Sequence, residues 1–163
     1  MILATLGTHP QPMDRLVRAL DDLLARGEVD EPVFIQAARF HVLPVLATPL
    51  EVIPYGDLVA RVRAARVVIT HGGPGSIMTA FALGKVPVVV PRDPAYGEHV
   101  DGHQLQFCDW LARRRPVTVL RDLNGLAEAL RAGPMPPGDL GPLGPSPDVI
   151  ARLRAIIERG GAT

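Results

Sequence analysis

"ITHGGPGSIMTAFALGK" fills residues 69–85 and decides how the rest of the chain is read. Ile69 and Thr70 close an apolar run, and four of the next five residues are His71, Gly72, Gly73 and Gly75. A helical pattern resumes at Ser76. A plain strand-to-helix turn needs one glycine at most, so three beside an imidazole make a place where something approaches the backbone. Glycines let main-chain N–H groups come close to an anion, and the following helix begins with unsatisfied donors and a partial positive charge. A phosphate suits such a turn. His71 can donate a hydrogen bond to it, and Ser76 can cap the helix or bond a phosphate oxygen. A turn whose glycines only relieve crowding is the plainer alternative. Two familiar phosphate patterns are absent: Lys85 leads into Val86 instead of Ser or Thr, and Met78 stands where the third glycine of G-x-G-x-x-G would fall.

Outward from this turn, short apolar runs alternate with amphipathic stretches. Met1–Leu6, Val33–Gln36, Glu51–Ile53, Val67–Thr70, Val86–Val90 and Val117–Leu120 read as strands. Met13–Arg26 carries Leu16, Val17, Leu20, Leu23 and Leu24 at helical spacing. Ser76–Leu83, Gly102–Arg114 and Leu123–Arg131 also read as helices, and Asp57 is expected to cap one more. This alternation, with continuously apolar strands, predicts a single Rossmann-like α/β domain over residues 1–132, its parallel sheet flanked by helices. Residues 133–147, "GPMPPGDLGPLGPSP", read as a Pro/Gly-rich linker. Residues 148–163 are expected to hold a C-terminal helix with Val149, Ile150, Leu153, Ile156 and Ile157 along one stripe. That stripe can pack on its own domain or on a partner.

Composition bounds the function. The chain has 163 residues, 47% of them apolar, enough for one core. Lys plus Arg balance Asp plus Glu at 17 each, so no net field draws the protein to nucleic acid or acidic lipid. No apolar run reaches the roughly 18 residues that cross a bilayer. "MILATLG" lacks the basic start and cleavage site of a signal peptide, and Cys108 is the only cysteine; both fit a cytoplasmic location.

In open parallel sheets ligands gather at the carboxyl ends of the strands. Three loops are expected there: Gly7–Pro12, His71–Gly75 and Pro91–His103. "GTHPQPMD" (7–14) repeats the strand-to-helix theme, with Gly7 allowing the turn and Thr8 and His9 offering polar groups. Together with His71–Ser76 it suggests two helix N-termini aimed at one diphosphate. "YGEHVDGHQ" (96–104) gathers Glu98, His99, Asp101, His103 and Gln104. His99 and His103 stand at a metal-pair spacing, but Gly102 interrupts them and no H-E-x-x-H pattern is present, so no metal site is assigned. Gln104 and carboxylates such as Glu98 suit hydrogen bonds to sugar hydroxyls. A solvated loop in which Asp101 caps the next helix is the alternative.

With these residues in view, the chain resembles the C-terminal domain of glycosyltransferase family 28. The resemblance rests on His71-Gly-Gly-x-Gly-Ser76, Gly84-x-x-Pro87, Pro91, "GEHVDGHQ", the opening "GTHPQPMDRLVRAL" and "FIQA". It runs from Met1 to about Leu130 and extends to the small subunits of split transferases in that family. It implies the donor half of a GT-B fold, binding a nucleotide-diphosphate sugar, usually a UDP-sugar, with no metal or other cofactor. Gly7, Thr8, Gly72, Gly73, Gly75 and Ser76 would surround the diphosphate, His71 would bond a phosphate oxygen, and His103 and Gln104 would face the donor sugar. Relatives commonly carry Glu three residues after the motif serine, where it holds the ribose hydroxyls; here that position is Thr79.

One Rossmann-like domain is half of a GT-B cleft. The implied function is the donor-binding subunit of an inverting, metal-independent transferase moving a hexose or N-acetylhexosamine to a lipid-linked acceptor. A membrane-anchored partner chain would supply the acceptor site and the general base, for which His9 is the local candidate. The alternative is a non-catalytic module that binds a nucleotide or sugar phosphate.

Overall fold

The computed structural model describes residues 1–136; most of the expected linker and the whole helix expected at 148–163 lie outside the described residues. Six parallel strands form one sheet: β1 (Ile2–Thr5), β2 (Val33–Gln36), β3 (Thr48–Leu50), β4 (Val67–His71), β5 (Val88–Val90) and β6 (Thr118–Val119). The helices are α1 (Asp14–Ala25), α2 (Tyr55–Ala64), α3 (Pro74–Ala82), α4 (His103–Ala112) and α5 (Leu126–Ala132). The spatial order is β3-β2-β1-β4-β5-β6, which reverses direction between β1 and β4. A crevice opens above the sheet at such a reversal.

The inner strands β1, β2, β4 and β5 are mainly apolar because both faces of the sheet are covered there, with Thr5, Gln36, Thr70 and His71 as polar residues at their carboxyl ends. Ile2, Ala4, Ile35 and Ile69 pack beneath Leu16, Leu20 and Leu23 of α1 and Leu126 and Leu130 of α5. On the opposite face Leu3 and Val68 meet Val62 of α2 and Ala80 of α3. Further along that face Val89 meets Ile77 and Phe81 of α3 and Cys108 and Leu111 of α4. Fully burying each Val, Leu, Ile or Phe among these contributes about 1.5–3 kcal/mol.

Three expectations shift. The third strand lies at Thr48–Leu50, not Glu51–Ile53. Pro49 hides it from a propensity reading, yet proline is tolerated there because β3 is the sheet edge and one row of its amides has no partner strand. Asp57 does not cap its helix: α2 starts at Tyr55 after Pro54, leaving Asp57 inside the first turn. The motif helix starts at Pro74, two residues before Ser76, since proline's fixed φ suits the first helical position. Ser76 is therefore inside α3 and is not its cap.

Candidate functional site

The turns after β1 and β4 meet at the reversal point, and His71 is the side chain between them. Gly7 takes φ +77°, and a Cβ there would lie 2.7 Å from His71 Cε1. A Cβ on Gly73 would collide with His71 Nε2. The imidazole thus lies against two bare backbones. Gly72 serves another contact: a Cβ there would come within 2.9 Å of Cys108 Sγ and 3.0 Å of Gln104 Oε1, so it lets α4 approach the turn. Among the described residues Gly75 has nothing within 4 Å of where its Cβ would stand, so no packing there calls for a glycine.

α3 begins at this place without a side-chain cap. Its opening N–H groups, those of Gly75 and Ser76 among them, are left by the helix for an external acceptor. His71 Nδ1 lies 3.4 Å from the Thr5 carbonyl oxygen. A carbonyl only accepts, so Nδ1 carries the proton and Nε2 faces Gly73. Burial, reinforced by the Arg92 guanidinium and opposed by the Thr5 carbonyl, lowers the His71 pKa from 6.5 to about 4. The ring is neutral at physiological pH.

Two cavities flank the turn. One, of about 430 Å³, is lined on its polar side by Thr5, Gly7, Thr8, Gln36, Thr70, His71, Gly73, Gly75, Ser76 and Thr79. Its apolar wall is Val52, Ile53, Tyr55, Leu58 and Val62. The other, of about 410 Å³, is lined by Gly72, Pro74, His103, Gln104, Gln106, Phe107 and Trp110. The start of α3 stands between them.

The sequence-derived candidates separate accordingly. Gly7, Thr8, Gly73, Gly75, Ser76 and Thr79 surround the first cavity, while Gly72, His103 and Gln104 line the second. Thr79 Oγ1 donates to the Gly75 carbonyl at 2.8 Å, which spends its only proton and leaves it an acceptor. Gln104 Oε1 accepts from the Arg92 backbone N–H at 3.1 Å, leaving its amide N–H groups for a ligand. His103 is 81% exposed, and its Nδ1 lies 2.9 Å from Asp101 Oδ1. Asp101 also accepts from the His103 backbone N–H, as expected of a helix-start carboxylate.

Two candidates are placed elsewhere. Glu98 is 2% exposed, and both carboxylate oxygens are taken by Arg15 and by the Asp93 N–H. It binds α1 to the loop after β5 and lines neither cavity. His9 stacks on His99 with ring centroids 4.7 Å apart, and its Nδ1 accepts from the Gln11 N–H. Desolvation by burial, followed by Arg92 and His99, lowers its pKa. Its ring also lines neither cavity.

Several residues escaped the sequence reading. Arg92, 2% exposed, sends its guanidinium to the carbonyls of Leu6, Gln11 and Glu98, joining the loops after β1 and β5. The apolar wall Val52–Tyr55 escaped because apolar residues ahead of a helix look like core. No sequence signal distinguishes the two cases.

The comparisons with known proteins bear on the fold and the family. The chain is 25% identical to the glycosyltransferase SnogD from Streptomyces nogalater, whose crystal structure it matches with a TM-score of 0.51 over 95% of this chain and 42% of that one. The shared architecture is half of a GT-B glycosyltransferase. The chain is also 35% identical over 77 residues to the UDP-N-acetylglucosamine transferase subunit ALG13 of Yarrowia lipolytica, covering 46% of this chain and 37% of that protein. It therefore spans less than half the length of either. Residues 11–133, most of the chain, match the glycosyltransferase family 28 C-terminal domain, and the chain belongs to that family.

Proposed function

We propose that the protein is the donor-binding subunit of an inverting glycosyltransferase, holding a UDP-sugar with its diphosphate across the start of α3. The observation that carries this reading is the uncapped helix start between two cavities. The larger cavity, with its apolar wall of Val52, Ile53 and Tyr55, suits a nucleoside. The smaller, with His103 and the free amide of Gln104, suits the sugar. The diphosphate would bridge them over Gly73–Ser76. When the glycosidic bond to the diphosphate breaks, negative charge develops on the leaving oxygen. The Gly75 and Ser76 N–H groups and a protonated His71 would meet it there without a metal ion. Preorganised donors of this kind contribute about 10²–10³-fold in rate each.

Gly75 provides a clean test. A methyl at this position has no atom of the described residues within 4 Å, and alanine is the better helix former by about 0.5–1 kcal/mol. Gly75→Ala should therefore keep or raise the melting temperature while weakening UDP binding at least tenfold by titration calorimetry, because the methyl stands where the phosphate approaches. Undiminished UDP affinity in this variant would rule out the helix-start site. Repeating the wild-type titration with chelator tests the metal-free reading; affinity that vanishes would overturn it.

Catalysis also needs an acceptor and a base. His9 directs one ring nitrogen to Gln11 and lies outside both cavities, so the base and the acceptor site are assigned to a membrane-anchored partner chain. ALG13 is named as a subunit, which supports this assignment. Among the described residues no helix is long and apolar enough to cross a membrane. Co-expression with an acceptor subunit should give sugar transfer that neither chain shows alone. Full transfer to a lipid acceptor by this chain in isolation would contradict the proposal. The second reading, binding without catalysis, draws on Thr79, whose proton is committed to Gly75. It predicts UDP binding with no transfer in any such complex.

A further inference from the structure

The floor of the larger cavity carries polar groups that the fold itself does not use. Thr5 pairs in register with Gln36 on one side and Thr70 on the other, so three adjacent strands place three polar side chains in one row. The row below it, Phe34, Leu3 and Val68, is apolar. Alternation along the strands puts the polar row on the α2–α3 face, where Leu3 and Val68 already pack. Thr5 is 4% exposed and Thr70 1% exposed, and the hydroxyls of both lack a hydrogen-bond partner among the described residues. Both line the cavity, as does Gln36. Buried hydroxyls are ordinarily paired, and two neighbouring orphans on residues that line one cavity point to a ligand that pairs them once the side chains turn toward it.

We propose that this row receives the ribose of the bound nucleotide, with Thr5 and Thr70 as the residues that distinguish ribose from deoxyribose. The proposal rests on the reading of the site as one for a nucleoside diphosphate. Position favours the sugar over the base. Thr70 directly precedes His71 and Thr5 lies two residues before Gly7, so about 4–7 Å of backbone separates the row from the diphosphate turn. The apolar wall at Val52, Ile53 and Tyr55 lies farther along, past the end of β3. Phosphate, ribose and base then follow one another along the crevice. Chemistry agrees: a vicinal diol offers two groups that each donate and accept, matching two threonine hydroxyls that do the same. Thr79, its proton committed to Gly75, offers only an acceptor.

The test is calorimetric binding of UDP, 2′-deoxy-UDP and inorganic pyrophosphate to the wild-type protein and to Thr5→Val, Thr70→Val, the double variant and Thr70→Ser. Wild type should prefer UDP over 2′-deoxy-UDP by about 3–10-fold, the size of one neutral hydrogen bond. The double valine variant should lose that preference, its UDP affinity falling to or below the wild-type level for 2′-deoxy-UDP, with pyrophosphate binding unchanged. Thr70→Ser should keep the preference. Melting without ligand is the control for folding: the valine variants should melt no lower than wild type, because no internal hydrogen bond is removed. A lowered melting point for both single valine variants would mean that the hydroxyls serve the fold, and would overturn the proposal. So would an unchanged UDP preference in the double variant. If the wild type binds no nucleoside diphosphate at all, the donor-site reading itself fails. If it binds UDP and the valine variants match it, only the ribose assignment fails.

Discussion

Replacing Arg92 with methionine is expected to cost about 3–5 kcal/mol of folding stability, read as a shift in the denaturant midpoint. The guanidinium is 2% exposed and donates to three main-chain carbonyls, those of Leu6, Gln11 and Glu98. Methionine fills much of the volume but donates nothing, and each buried acceptor left unpaired costs about 1–3 kcal/mol. Partial hydration of the Gln11 carbonyl would recover some of that. Against a total stability of roughly 5–15 kcal/mol the loss is large. Its effect extends to the site, since Leu6 and Gln11 bracket the Gly7–Thr8 turn. The Arg92 charge also depresses the pKa of His71, so the variant should raise it. A loss below about 1 kcal/mol would show that the loops after β1 and β5 hold together without this tie.

The second large effect belongs to His71 and depends on pH. Its pKa in the folded protein is about 4, lowered chiefly by burial and then by Arg92, against 6.5 as the ordinary value. As pH falls below 6.5 the unfolded chain takes up this proton first. The stability contributed by a neutral buried ring is complete above that pH and is lost as pH falls toward the folded value. At pH 4.5 the loss should reach about 2–3 kcal/mol. Urea titrations from pH 7.5 to 4.5 on wild type and His71→Gln isolate it, because the other titrating groups are common to both. Parallel curves would contradict a buried neutral imidazole.

In the proposed complex a bound diphosphate would reverse the preference. With Nδ1–H given to the Thr5 carbonyl, Nε2 can donate to a phosphate oxygen only after protonation. UDP binding should therefore take up close to one proton at this ring, seen as a dependence of the calorimetric enthalpy on buffer ionisation heat. Its affinity should rise between pH 7.5 and 6. The phosphate itself titrates near pH 6, roughly, and the glutamine variant reports that part separately. His71→Ala should weaken UDP by about 1–3 kcal/mol and leave uridine little changed. Equal losses for uridine and UDP would place His71 in the fold or the base pocket instead.

Much of this was legible in one dimension. The turn at residues 69–76 reveals a strand, a bare-backbone approach and a helix start, because glycine content and apolar runs are local properties. The alternation of those units implies a parallel sheet, since a chain can bring parallel strands together only through covered crossovers. Element ends were less legible: Pro49 in β3 and Pro74 at the start of α3 are tolerated for reasons of position that propensity does not carry.

Which polar groups turn inward was settled only in three dimensions. Glu98 and Gln104 share one polar loop in the sequence. Yet Glu98 is spent on Arg15, 83 residues away, while Gln104 keeps its amide donors at a cavity. Arg92 reads as an ordinary loop arginine until the Leu6 carbonyl arrives from 86 residues earlier to accept from it. The row of Gln36, Thr5 and Thr70 exists only once register aligns three strands, because side-chain adjacency across a sheet is set by pairing and has no counterpart along the chain. Local chemistry prepared the glycine-rich turn at His71–Ser76, whereas long-range pairing chose what surrounds it.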